Sequence, residues 1–193
     1  MRLRRFMWMA AAALPLFVAG GCSSRQQAQP AESPFRLTAT IKDLMDSEVD
    51  PSADILWDSV ATTVSKEGID EKAPRTDDDW AMVRHSAITL IEATNLLIMD
   101  GRHVAKPGEK AENPQVELAP EQIQTMIDQD RAAWIKFAHG LHDAGTAALK
   151  AIDAKNVQGL SDAGEGIDEA CEQCHLKYWY PNSPQAAQSK EKS

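Results

Sequence analysis

Cysteine is scarce in this chain, with three in 193 residues. Three thiols cannot build the disulfide framework that staples many small exported domains. A basic excess is missing as well. The 20 Lys and Arg face 29 Asp and Glu, for a formal charge of −9. That sign argues against a general nucleic-acid binder, so no nucleic-acid partner is expected. No segment alternates apolar and polar residues with period two, so no sheet is expected. No catalytic triad, acid–base pair or phosphate loop appears, and the chain does not read as an enzyme. What is present is 43% hydrophobic residues, which suits a globular protein. The length suits one domain that needs no covalent staples.

The N-terminus reads as an address. Arg2, Arg4 and Arg5 precede an apolar run from Phe6 to Ala19. Such a run is too short to span a bilayer comfortably and right for an export signal. It ends in Ala19-Gly20-Gly21-Cys22, which resembles a bacterial lipobox. The resemblance implies cleavage before Cys22, lipidation of its thiol and a membrane-anchored lipoprotein of the periplasm. Ala19 stands where Leu is commoner. An ordinary signal peptide that ends near a Cys is the plainer alternative. Ser23 follows the Cys where Asp would favour inner-membrane retention, so the resemblance allows the periplasmic leaflet of the outer membrane. Residues 1–21 are thus the signal. Residues 22–34, rich in Ser, Gln, Ala and Pro, read as a flexible tether. Losing the signal leaves the chain more acidic, so lipid rather than charge would hold it to a membrane.

Residues 35–181 read as one all-α domain, and 182–193 as a polar tail. Leu37, Ile41, Leu44, Met45 and Val49 recur at helical spacing, and Ile55, Leu56, Trp57, Val60 and Val64 continue the stripe. This predicts a helix over 36–66, kinked where Asp50 suits an N-cap and Pro51 the first turn. Thr76 with Asp79 forms a capping-box pattern for a second helix that ends at Gly101. The long connection 101–119 reads as a functional loop or a crossover. Pro120 opens a third helix that runs to Ile152, and a fourth extends from Asn156 to Pro181. The predicted fold is a four-helix bundle. Trp57, Trp80 and Trp134 read as core anchors.

The chemistry lies near the end of the fourth helix. Cys171-Glu172-Gln173-Cys174-His175 is the C-x-x-C-H pattern of covalent haem c attachment. Residues three and four apart share a helix face, so both thiols and the imidazole point the same way. A zinc site would want further Cys or His at ligand spacing, and no second Cys pair exists. A thioredoxin-type motif would belong at a helix N-terminus in a βαβ fold.

A four-helix bundle with C-x-x-C-H near its C-terminus resembles the class II c-type cytochromes, cytochrome c′ and its low-spin relatives. The likeness is clearest over Phe137 to Tyr178. It implies one covalent haem c held inside the bundle. Cys171 and Cys174 would be the thioether sites and His175 the proximal iron ligand. Tyr178 matches an aromatic residue that family members carry three residues after the His. Trp179 follows it where many members have a basic residue, which leaves the propionate partner open. Low-spin members take a sixth ligand from a Met on the first helix, and Met45 is the candidate. High-spin members leave that position vacant. Arg36 lies near enough in sequence to meet a propionate, although Thr40, not Met45, stands one turn after it. Plain core packing is the bland reading of Met45. His85, His103, His139 and His142 read as surface or hydrogen-bonded residues.

The leading expectation is a periplasmic, lipid-anchored monohaem cytochrome that passes single electrons between redox partner proteins. The alternative is a five-coordinate haem protein that binds NO or CO, as cytochrome c′ does. A third reading is a structural lipoprotein in which Cys171 and Cys174 form a disulfide. Arg102, Lys106 and Lys110 make the crossover loop locally basic, which suits either an acidic partner or a solvated loop. The family resemblance also allows a homodimer.

Overall fold

The computed structural model describes residues 33–191. Cys22, the signal segment and nearly all of the tether lie outside the described residues. Residues from Arg36 onward form one compact unit. It is mostly helical, 65% helix with a single two-stranded sheet, which agrees with the all-α expectation.

The first helical segment begins at α1 (Ile41–Leu44), passes through a π-helical turn at Met45–Val49 and continues as α2 (Asp50–Ser59). Thr40 and Asp43 close a reciprocal capping box at its start. Asp50 is not the cap its sequence position suggests. It already has helical dihedrals, and its N–H bonds to the Met45 carbonyl across the π-turn. The helix predicted to Lys66 stops at Ser59, because Val60 turns extended. A β-hairpin follows, β1 (Ala61–Ser65) and β2 (Gly68–Lys72), antiparallel with Ala61 opposite Lys72. Thr62, Thr63 and Val64 are β-branched, and such residues lose χ1 freedom in a helix and favour strands. The i, i+4 spacing of Val60 and Val64 imitates a helical stripe and hides the hairpin.

α3 (Asp77–Leu97) starts at the Thr76–Asp79 capping box that its sequence announces. The third predicted helix is two: α4 (Pro120–Gln129) and α5 (Arg131–Asp153). Asp130 sits between them with non-helical dihedrals, and its side chain accepts from the Ala133 N–H to cap α5. α6 (Val157–Tyr178) begins at Asn156, whose side chain accepts from the Gly159 N–H. The tail is not wholly irregular, since α7 (Pro184–Glu191) forms there and buries Ala186.

α5 packs against α3 on one side and α6 on the other, and α2 bridges α3 and α6. Leu90, Ala87, Ala148 and Ile167 are fully buried at the centre. Trp80 and Trp134 are buried as expected, while Trp57 is half-buried. The 101–119 connection is pinned at both ends. Its His103 and Val104 carbonyls accept from the Ile41 and Lys42 N–H groups, supplying partners that the first turn of a helix otherwise lacks. Leu118 N–H donates to the Trp179 carbonyl at the end of α6. Arg102 is buried and donates to the Leu96 and Ala39 carbonyls. It clamps α3 to the start of α1 and is not part of a basic docking surface.

Candidate functional site

α6 carries Cys171, Cys174, His175 and Tyr178 along one face, and its last turn closes tightly. The Trp179 and Tyr180 N–H groups both donate to the His175 carbonyl. The His175 ring then lies 5.8 Å from Trp179 and 5.9 Å from Tyr180, centroid to centroid. The Tyr180 hydroxyl donates to Glu172 at 2.6 Å, which ties the aromatic cluster to the turn that carries the thiols.

Two cavities flank this face. The inner one, about 190 Å³, is walled by Met45, Val49, Trp57, Trp134 and Phe137 and receives Cys171, Cys174 and His175. The outer one, about 230 Å³, runs from Met45 and His175 to the crossover loop and the Trp179–Tyr180 pair. Met45, Asp50 and His175 line both. Taken together the two spaces reach the range of small-ligand pockets, about 300–1,000 Å³.

Both thiols are free in the structure. Desolvation pushes the Cys171 thiol up to about 12, helped by the charges of Asp50 and Asp168. Desolvation also takes Cys174 up to about 12. A redox-active dithiol needs the opposite, a thiolate stabilised near neutral pH. The His175 imidazole is held below its ordinary pKa by desolvation, although Asp50, Glu172 and Glu117 pull the other way. Its neutral form is the one that coordinates metal. Among the described residues, no cluster of three or more His, Cys, Asp or Glu side chains is placed to hold a metal ion. Two thiols, one imidazole and one thioether opening on a single apolar space are a donor set that could hold a haem.

Tyr178 is fully buried, edge-on to Trp134 at 5.3 Å and to Phe137 at 5.9 Å. Its hydroxyl has no hydrogen-bond partner among the described residues. Arg36 is exposed and lines neither cavity, whereas Lys42 and Lys110 line the outer one. Lys106 pairs with Asp43 instead. His85, His103 and His139 are exposed, His142 is half-buried, and none of the four reaches either cavity. The walls Trp57, Trp134 and Phe137, and the carboxylate of Asp50, were not legible as site residues. Trp57 is placed by a tertiary bond, its Nε1–H donating to the Gly164 carbonyl at 3.0 Å. At Gly164 an added Cβ would lie 3.3 Å from the Trp57 ring, so the small residue admits the indole.

Comparison of the chain with family models, curated proteins and solved structures gave no match.

Proposed function

We propose that this protein is a monohaem c-type cytochrome that transfers single electrons, built as a four-helix bundle of the class II kind from α1–α2, α3, α5 and α6. The observation that carries the reading is the convergence of Cys171, Cys174 and His175 with Met45 on one apolar cavity. Cys171 and Cys174 would hold the haem covalently, and His175 would take the proximal side of the iron. Met45, facing the same space from the π-turn, would take the distal side. Trp57, Trp134 and Phe137 exclude water from the inner wall. Bound haem would supply one-electron exchange between ferrous and ferric iron, and ligation by Met together with His raises the potential. An anchor at Cys22 would keep the carrier near membrane-bound redox partners in the periplasm and raise its effective concentration there.

The deciding experiment is a pyridine haemochrome assay on protein matured with haem-attachment machinery, followed by electron paramagnetic resonance. One haem per chain and a low-spin ferric signal are expected. Met45→Ala should then convert it to a high-spin form that binds carbon monoxide readily. A colourless wild-type protein would overturn the reading. A high-spin wild type that binds NO or CO at once would favour the gas-binding alternative, in which Met45 only packs.

A further inference from the structure

Most acidic side chains near α1, α3 and α5 have a visible structural role. Asp43 closes a capping box and pairs with Lys106. Asp79 caps α3, Asp77 pairs with Lys155, and Asp130 caps α5. Asp50 is exposed at the cavity mouth and has no comparable role. Among the described residues its carboxylate has neither a hydrogen-bond nor an ion-pair partner. In a regular α-helix, residues five apart point about 140° away from each other. The π-turn changes this, because its i to i+5 bond from Asp50 N–H to the Met45 carbonyl stacks the two residues. Both consequently line the two cavities together with His175. Single π-turns inside helices are frequent at functional sites.

We propose that Asp50 sets the electrostatics of the cofactor site: its unpaired carboxylate, brought into line with Met45 by the π-turn, favours the ferric state and disfavours anionic ligands. The inference rests on the haem reading given above. Asp50 is a positioning charge and not an iron ligand. The other charges on the two walls do not cancel it. Lys42 is engaged by Glu109 and Glu112. Asp46, Glu117, Asp168 and Glu172 carry the same sign as Asp50, which leaves Lys110 of the loop as the remaining cation. A unit charge on the wall of a cleft, even one that keeps contact with water, changes the equilibrium of a one-electron centre beside it by about tenfold.

The test is a redox titration of the holoprotein with Asp50→Asn and Asp50→Glu, alongside azide and imidazole binding to the ferric form. At the potential that half-reduces wild type, Asp50→Asn should raise the ferrous-to-ferric ratio about tenfold, which is a shift of about 59 mV for one electron. Its azide affinity relative to imidazole should rise by a similar factor. The ratio of the two ligands cancels any cost of displacing Met45. Asp50→Glu, which keeps the charge, should stay within about threefold of wild type on both readouts. An unchanged Asp50→Asn with full haem content would overturn the proposal, as would equal shifts in both variants, which would point to packing. Pyridine haemochrome on each sample separates these outcomes from failure of the haem reading: wild type without haem sinks both.

Discussion

The α3–α5 contact and the α1–α2–α6 end follow opposite packing rules. Where α5 meets α3, space is exhausted. Leu90 and Ala148 are fully buried, and a Cβ added at Gly145 would lie 2.9 Å from Ile91 Cγ1. At the other end, cavities of about 190 and 230 Å³ adjoin across Met45 and His175. Protein interiors ordinarily leave few voids larger than a water molecule. A chain that packs so tightly at one contact has the means to pack the other. The space it leaves is bordered by two free thiols and the His175 imidazole. The contrast separates a close-packed contact from an open end of the same helices.

The contrast can be broken by mutation. The largest effect is expected from Cys171→Ala with Cys174→Ala: complete loss of covalent haem by pyridine haemochrome, with stability of the haem-free protein changed by less than about 1 kcal/mol. A large fall in that stability would mean that the open end is also structural. Leu90→Ala should cost about 2–5 kcal/mol in urea unfolding of the haem-free protein, since it leaves a void in a close-packed wall. Met45→Ala should cost about 1 kcal/mol or less in the same assay, because its side chain already faces space. Equal costs would erase the distinction between the two ends. Gly145→Ala should lose about 1 kcal/mol net, the overpacking against Ile91 outweighing the helix propensity gained. Tyr178→Phe should be nearly neutral in the haem-free protein, because the hydroxyl is buried without a partner among the described residues and its removal relieves desolvation. A loss above about 1 kcal/mol would reveal a partner for that hydroxyl.

What could be read ahead of the structure was local. Thr76–Asp79, Asn156 and Pro120 mark helix starts through interactions three or four residues long. C-x-x-C-H on a helix already implies that Cys171, Cys174 and His175 share a face. The same locality explains the misses. Val60 and Val64 satisfied a helical period while their β-branched neighbours formed a hairpin. The stripe from Ile123 to Ile152 crossed Asp130 without a Gly or Pro to announce a break. Arg102 looked like a loop cation and is instead buried against backbone carbonyls. Arg36 is close enough in sequence to be a possible haem contact, yet the cations that line the outer cavity are Lys42 and Lys110.

The sequence by itself determined the helical class, the starts of α3, α4 and α6 and the spacing of the C-x-x-C-H residues, because these depend on neighbours along the chain. Only the tertiary structure decided that Met45 lines the same cavity as the thiols, that Trp57 and Trp134 wall it, and that Asp50 leaves its capping position to line it with Met45. Those placements depend on contacts between distant segments: the Trp57–Gly164 bond, the crossover loop pinned to α1, and one π-turn that no local pattern predicts.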